Sequence, residues 1–239
     1  HERQCGAPAT CDAARMPRLR TLAPDLHQLP LDPIQGVNCY VLGDVLVDAG
    51  GKLDAKRILK ALDARTLSAH ALTHVHPDHQ GSSHAVCEAL DVPFWVPAGE
   101  RAQAESGDCL AAMPDNRIAR FSNRVFAGPG HPVDRGLADG DDVAGFTVVA
   151  LPGHSPDQVG YWRESDRVLV CGDALRNMSY ATGRPGLRLP PDFFSTDIAE
   201  VRRSAQKIAS MEPALLAFGH GRPLAGAATI AAQLAALLG

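Results

Sequence analysis

Four side chains that can bind a metal ion fall within six residues of one segment, Thr73-His74-Val75-His76-Pro77-Asp78-His79-Gln80-Gly81. His74 and His76 are two residues apart, so in an extended chain their side chains point the same way. Pro77 favours extended geometry at His76 and begins a turn. Asp78 and His79 follow in that turn and at the start of the next predicted helix. Imidazole together with carboxylate suits zinc, iron or manganese, so the segment predicts a metal site.

Three later segments share one form, an apolar run that stops at a glycine followed by a metal-binding residue. They are 149–154, 168–173 and 215–221, and their candidate ligands are His154, Asp173 and His220. A glycine beside the ligand permits a tight turn and a close approach of the backbone. Each segment alone is a weak motif. In this order after the first segment, they strongly indicate a metal site built from distant parts of the chain.

With these pieces the sequence resembles the metallo-β-lactamase-fold hydrolase superfamily. The resemblance runs from about residue 25 to residue 239, and its matching pieces are 37–38, 46–50, the first histidine segment, 153–156, 172–173 and 219–221. It implies a mixed α/β (α+β) fold, the αββα four-layer sandwich. In that fold two facing β-sheets are flanked by helices, and a dinuclear metal site lies at one edge.

The resemblance also implies two divalent metal ions, zinc in the first place, with iron or manganese as alternatives. In the ligand set that it implies, His74, His76 and His154 hold the first ion. Asp78, His79 and His220 hold the second ion, and Asp173 bridges the two. Asp78 and Asp173 are the two carboxylates to which catalytic roles are assigned. The nucleophile would be a hydroxide that bridges the two metals.

The family covers several reactions, so its fold does not define the substrate. Asp173 differs from the Cys or Ser that the best-known lactamases of the family carry at the bridging position. Glyoxalase II enzymes share the ligand set but add a C-terminal helical extension, whereas here only 19 residues follow His220. Acyl-homoserine lactonases place a Tyr three residues after the bridging Asp. Here that position is Arg176, and Tyr180 stands four residues further on.

We therefore predict a dinuclear metal hydrolase that acts on a small ester, thioester or lactone. Two other functions remain open. One is a metal-binding scaffold of the same fold without hydrolytic turnover. The other is a persulfide dioxygenase, which in this family uses a single iron held by two His and one Asp. The complete ligand set favours the hydrolase over both.

A long irregular segment, 176–195, follows Asp173 and is predicted to form a pocket wall. Its candidate substrate-binding residues are Arg176, Tyr180, Phe193 and Phe194. Arg176 and Arg188 would bind an anionic group of the substrate, or they are solvated surface residues. The aromatic side chains line the pocket, or they pack the segment onto the sandwich.

Three residues outside the ligand set bear on the site. Asp48 either orients a ligand histidine or is a turn aspartate. His131, in the loop Gly128-Pro-Gly-His131-Pro, is either structural or close to the site. Cys171 is predicted to be a core strand residue and not a nucleophile, since apolar neighbours raise a thiol's pKa.

Composition restricts the partners. Lys and Arg number 23 against 27 Asp and Glu, a net charge of −4, which argues against nucleic acid as a partner. No apolar run approaches the roughly 20 residues that span a bilayer, so no membrane partner is expected. A small-molecule substrate remains, and the oligomeric state is left open. Six irregularly spaced cysteines indicate free thiols and a cytoplasmic protein, with a Cys5–Cys11 bridge as the one exception considered.

The expected organisation is a leader or tag-like, poorly ordered segment, 1–20, followed by one hydrolase domain, 21–239. Apolar periodicity predicts helices over 53–64, 80–90, 99–113, 196–211 and 229–238. Strands are predicted in a hairpin over 36–51 and over 69–73, 94–96, 117–126, 146–151, 158–162, 167–171 and 214–218.

Overall fold

A computed structural model describes residues 18–239, and these residues form two β-sheets. The first sheet has seven strands, arranged side by side in chain order. The strands of this sheet are β1 (Arg20–Ala23), β2 (Leu26–Pro30), β3 (Asn38–Leu42), β4 (Val45–Val47), β5 (Ala69–Ala71), β6 (Phe94–Pro97) and β7 (Arg135–Leu137). Neighbours from β1 to β4 are antiparallel, and those from β4 to β7 are parallel.

The second sheet has six strands in the spatial order β13-β12-β11-β10-β9-β8. They are β8 (Asp142–Val143), β9 (Phe146–Ala150), β10 (Val159–Arg163), β11 (Val168–Val170), β12 (Leu215–Ala217) and β13 (Leu224–Ala225). Only β11 and β12 run parallel in this sheet. The helix between them supplies the crossover that a parallel pair requires.

Helices lie on the outer faces of both sheets. They are α1 (Ala55–Leu62), α2 (Pro77–Gln80), α3 (Ser83–Leu90), α4 (Arg101–Ser106), α5 (Arg117–Phe126), α6 (Ile198–Ser210) and α7 (Ala227–Leu238). Buried side chains of α1 and α3, such as Ile58 and Val86, pack on the first sheet. Those of α6 and α7, such as Ile208 and Ile230, pack on the second.

A third apolar cluster joins the two sheets to each other and includes Tyr40, Phe146 and Tyr161. The order of layers is helix, sheet, sheet, helix. The predicted αββα sandwich is therefore confirmed.

Two buried tyrosines connect this inter-sheet core to the ends of the strands. The Tyr40 hydroxyl donates to the carbonyl of Phe218 at 2.7 Å, and the Tyr161 hydroxyl donates to that of Leu72 at 2.6 Å. Each accepting carbonyl stands two residues before a predicted ligand, His220 or His74. Burial of these rings therefore helps to fix the backbone that presents the two histidines.

The predicted strand 117–126 is wrong, because this segment is helix α5. The Asn116 side chain caps the helix by accepting from the backbone N–H groups of Ile118 and Ala119, both at 2.9 Å. Ile118, Phe121 and Val125 recur at helical spacing. The apolar residues were thus read with the wrong period. The predicted helix 99–113 is also interrupted, since Gly107 ends α4 and a 3₁₀ turn follows at Cys109–Ala112.

Cys39, Cys87, Cys109 and Cys171 are buried free thiols. Cys5, Cys11 and most of the predicted leader segment, 1–20, lie outside the described residues. Between residues 18 and 239, no helix combines the length and the apolar character needed to cross a bilayer.

His70 in β5 makes stability depend on pH. Its Nδ1 lies 3.1 Å from the Leu46 carbonyl and its Nε2 lies 2.8 Å from the Ser83 hydroxyl. Burial lowers the pKa of His70 to about 4, against about 6.5 in an unfolded chain. Between those values the unfolded chain binds more protons. The stability that the neutral imidazole contributes is therefore complete above about pH 6.5 and is lost as pH falls towards 4.

We expect the wild type to lose about 3 kcal/mol more of its free energy of unfolding than His70→Gln between pH 7 and 4. Urea unfolding of both proteins, each with chelator at several pH values, measures this difference. Because the other titrating groups are common to both, equal pH dependence would contradict the assignment to His70.

Candidate metal centre

The predicted ligands lie in loops at one edge of the sandwich. His74 and His76 follow β5 of the first sheet, whereas His154, Asp173 and His220 follow β9, β11 and β12 of the second. Asp78 and His79 belong to the short helix α2, which His76 precedes as the N-terminal boundary residue. Both sheets thus contribute side chains to one place.

The structure brings all seven of these side chains together. They form three overlapping groups, and within each group one potential ligand atom per residue lies within 4.8 Å of the others. The groups are His74, His76 and His154; His74, His79 and Asp173; and Asp78, His79 and His220. This overlap joins the seven residues into one continuous cluster.

Each of the five histidines uses one ring nitrogen for a contact with the protein. These contacts are His74 Nδ1 to Thr73 Oγ1 at 3.0 Å, His76 Nε2 to the Ala112 carbonyl at 3.2 Å, His79 Nδ1 to Asp48 Oδ2 at 2.9 Å, His154 Nδ1 to Ser195 Oγ at 3.4 Å, and His220 Nδ1 to the Gly36 carbonyl. Contacts of this kind orient the ring and leave the other nitrogen available to a metal.

Four buried atoms at the centre have no hydrogen-bond partner among residues 18–239: His74 Nε2, His79 Nε2, His154 Nε2 and Asp173 Oδ1. Buried polar atoms in folded proteins are nearly always satisfied. A divalent cation would satisfy nitrogen lone pairs and a carboxylate oxygen at the same time. The donor set therefore fits a metal centre.

Burial keeps three of the imidazoles neutral. It lowers the pKa of His76 to about 4 and those of His74 and His154 well below the usual value, and neighbouring histidines add to the effect. Neutral imidazole is the form that binds metals. These three ligands are therefore ready for a metal at neutral pH without losing a proton.

Asp173 lies between the two sets of histidines. Its Oδ1 is 3.5 Å from His79 Nε2, and its Oδ2 is 3.4 Å from His154 Nε2 and 2.9 Å from His220 Nε2. Burial alone would raise the pKa of Asp173, but His220 and His79 hold it well below its usual range. The carboxylate is therefore ionised, with its two oxygens directed to different ligands.

Asp48 orients a ligand histidine. Its carboxylate contacts His79 Nδ1 and accepts from the backbone N–H of Thr73 at 2.8 Å. Burial alone would lower the pKa of His79, but Asp48 and Asp173 raise it well above the usual value. Of the two interpretations left open for Asp48, the structure favours this one.

Glu100 is a positioning residue that the sequence did not reveal. Its buried carboxylate accepts from the backbone N–H of Val75 at 2.6 Å and of Asp157 at 2.9 Å, and from the Ser155 hydroxyl. It thereby joins the loop of His74 to the loop that follows His154. Nothing in the surrounding Ala-rich sequence marks this role, because Val75, Ser155 and Asp157 are all distant from Glu100 along the chain.

A cavity of about 430 Å³ opens onto the centre. Five predicted ligands line it: His76, Asp78, His154, Asp173 and His220. Its remaining lining is mostly apolar: Val37, Met113, Phe126, Met178, Tyr180, Phe193 and Phe194, with Asp32, Gly36 and Ser122. Within the described part of the chain, no Lys or Arg lines it.

The candidate substrate-binding residues divide into two groups. Tyr180, Phe193 and Phe194 line the cavity, and the Tyr180 ring packs 5.2 Å from that of His220. Arg176 is outside the lining. Its guanidinium bonds to the carbonyls of Leu189 and Met178 and lies 4.5 Å over the Tyr180 ring.

Three further residues that the sequence singled out are not among the seven potential ligands of the metal centre: Arg188, Cys171 and His131. Arg188 pairs with Arg176 through the backbone. Cys171 is fully buried, which raises the pKa of its thiol, as expected for a core residue. His131 stands beside His84 on α3.

Known proteins are similar to this chain in sequence and in fold. The metallo-beta-lactamase superfamily matches residues 33–220. The probable metallo-hydrolase YflN of Bacillus subtilis is 30% identical over 202 residues, which cover 76% of each chain. The structure of BLEG-1 B3 metallo-beta-lactamase has a TM-score of 0.66 at 30% identity, over 84% of this chain and 93% of that one.

A second solved structure, TTHA1623 in a di-iron-bound form, has a TM-score of 0.64 at 28% identity and covers 83% of this chain and 93% of that one. The match to the superfamily extends over most of the chain, and all seven predicted ligands lie within the matched range. The chain therefore belongs to the metallo-beta-lactamase superfamily and is a metal-binding hydrolase of that family.

Proposed function

We propose that this enzyme hydrolyses a small ester, thioester or lactone with the help of two divalent metal ions, zinc in the first place. The observation that carries the proposal is the cluster of seven potential ligands, five of which line an apolar cavity. His74, His76 and His154 would hold one ion. Asp78, His79 and His220 would hold the other, and Asp173 would contact both.

When bound, the metal ions would supply a water of lowered pKa and polarise the substrate carbonyl. The protein's own groups prepare the place for that chemistry. Asp48 and Glu100 fix the loops that carry the histidines. Although Tyr180 is 38% exposed, desolvation of its phenol and the carboxylates of Asp173 and Asp78 raise its pKa, so the phenol stays protonated and can donate a hydrogen bond to a substrate oxygen.

The walls of the cavity favour an apolar acyl group. Met113, Met178, Phe193 and Phe194 offer hydrocarbon and aromatic surface, and the volume of about 430 Å³ suits a small molecule. A lining without Lys or Arg among the described residues gives a phosphate or a glutathione carboxylate no cationic side chain to bind it. We therefore place carboxylic esters, thioesters and lactones ahead of phosphodiesters.

The buried free thiols in the described chain agree with a cytoplasmic location, which we include in the proposal.

β-Lactam hydrolysis is the second candidate, because one related structure is that of a B3 metallo-beta-lactamase. The di-iron form of another relative makes iron the principal alternative to zinc.

The proposal is tested by assaying the purified enzyme, with its metal content measured, on medium-chain lactones, acyl thioesters, aryl esters, a β-lactam and a phosphodiester. We expect the first three to be hydrolysed and a chelator to stop the reaction. Highest activity on the β-lactam would select the second candidate. Consumption of O₂ with a persulfide substrate would indicate the dioxygenase, and no turnover of any substrate would indicate a scaffold.

Phe194→Ala is expected to raise KM about tenfold for an acyl substrate long enough to reach the wall, because it removes apolar contact without touching a ligand. Tyr180→Phe is expected to lower kcat more than it raises KM, since only the hydroxyl is lost. Phe121→Ala is the matched control, because Phe121 is 67% exposed on α5 and is absent from the cavity lining. Steady-state kinetics with metal content alongside measure the effects. Unchanged kinetics in both pocket variants would mean that the 176–195 segment does not contact the substrate.

A further inference from the structure

We propose that the protein has a second, accessory binding site for a divalent transition metal, of which zinc is the type, formed by His84, Glu88 and His131. This site shares no residue with the metal centre described above. One ligand atom from each of the three residues lies within 4.8 Å of the others. The inference is independent of the reaction proposed for the main centre.

Helix α3 supplies two of the three ligands. His84 and Glu88 are four residues apart, so they lie one above the other on the same face of the helix. His131 comes from the loop between α5 and β7 and faces them. Imidazole and carboxylate side chains are the ligands of zinc sites with three protein ligands and an open position.

The spacing of the donor atoms suits a tetrahedral metal. Two nitrogens bound to zinc at about 2.0 Å in tetrahedral geometry are about 3.3 Å apart. Here the Nδ1 atoms of His84 and His131 are 3.1 Å apart. Glu88 Oε1 lies 3.9 Å from His131 Nδ1, and its side chain is 64% exposed. A small rotation of this free side chain would bring its oxygen to the third position.

The loop that carries His131 is fixed in place by its backbone. The N–H of His131 donates to the Ala104 carbonyl at 3.2 Å. A Cβ on Gly130 would lie 2.2 Å from the Glu105 carbonyl oxygen, so the loop lies directly against α4. Only glycine permits this approach. Since the backbone position of His131 is already set, metal binding would need little further ordering.

The protonation state of His131 also favours a metal. Burial and the neighbouring His84 lower the pKa of His131, so its ring is neutral at physiological pH. Only one hydrogen bond can form between these two nitrogens, in which one Nδ1 donates and the other accepts. A divalent cation could instead be bound by both nitrogens, and the carboxylate of Glu88 would balance part of its charge. The bound metal would fasten the 127–134 loop to α3.

Zinc titration of the full-length protein tests the site. Protein is dialysed to equilibrium against buffered free zinc, and bound zinc is measured by elemental analysis. Wild type should bind about one equivalent more than His84→Ala/His131→Ala, and Glu88→Gln should weaken binding of that equivalent by about tenfold or more. His27→Ala is the control, since His27 contacts Thr21 far from α3 in sequence and is not a member of the three-residue cluster.

The thermal midpoint gives a second reading on the same samples. In wild type it should rise when zinc exceeds what the main centre binds, and the double variant should lack this increment. Asp173→Ala should keep the accessory equivalent, which separates this site from the main centre. If Glu88→Gln and the double variant both bind zinc as tightly and in the same amount as wild type, His84 and His131 are only a hydrogen-bonded pair and the proposal is overturned.

Discussion

Asp173→Ala is expected to abolish stable metal binding at the main centre and to reduce kcat/KM by more than about 100-fold. Removing a residue that only supports a metal ligand costs up to about 100-fold, and removing a ligand itself should cost more. The two oxygens of this carboxylate face His79, His154 and His220. Without it, the remaining ligands would bind metal with one negative charge fewer to balance the cation. Elemental analysis and steady-state kinetics on the best substrate found measure both effects.

Loss of fold must be separated from loss of metal in this experiment. Circular dichroism of Asp173→Ala should match that of the wild type. Asp166→Ala is a matched control, because the Asp166 carboxylate bonds to Arg163 at 2.9 and 2.7 Å in a surface turn and is not a member of the ligand cluster. A well-folded Asp173→Ala enzyme with full metal content and normal kinetics would contradict the role assigned to this residue.

Gly219→Ala is expected to displace the ligands with a single methyl group. A Cβ at this position would lie 2.1 Å from Asp173 Oδ1 and 2.6 Å from His79 Cε1. Both neighbours are buried and bonded, so neither can move without losing its place at the centre. We expect metal affinity to fall by about 10–100-fold, as for other changes beside metal ligands.

The matched control for this variant is Gly140→Ala. Gly140 has a φ of +91° and open space where a Cβ would stand. Alanine there should lower the free energy of unfolding by about 1 kcal/mol through backbone strain, with metal content unchanged. Metal competition with a chromophoric chelator compares the two. If Gly219→Ala binds metal as tightly as Gly140→Ala, the close approach at Gly219 is not needed for the centre.

The sequence predicted those features that short segments determine. The spacing of His74, His76 and His79 marks a metal site by itself, and apolar runs ending at Gly153, Gly172 and Gly219 mark the strand ends that complete it. The fold followed from a resemblance carried by the same pieces. Local geometry and chemistry therefore coincide in this part of the chain.

What the sequence did not reveal depends on contacts between distant residues. Glu100 binds partners 25 and 55 positions away, and His84 meets His131 across 47 positions. No periodicity marks such pairs. Helix α5 was missed for a different reason. Its Ile118, Phe121 and Val125 do recur at helical spacing, but the segment was interpreted as a strand, so this period was not used.

Because the ligands are divided between the two sheets, the metal centre can form only when the two halves of the chain pack against each other. Residues 74–79 come from the N-terminal half, and His154, Asp173 and His220 come from the C-terminal half. The measured metal affinity must then include the free energy of bringing the halves together. A substitution between the sheets, at Tyr40 or Phe146 for example, would release metal without altering any ligand. Natural variants that lose metal should therefore occur throughout the interior, and their effect should be reversed by excess metal.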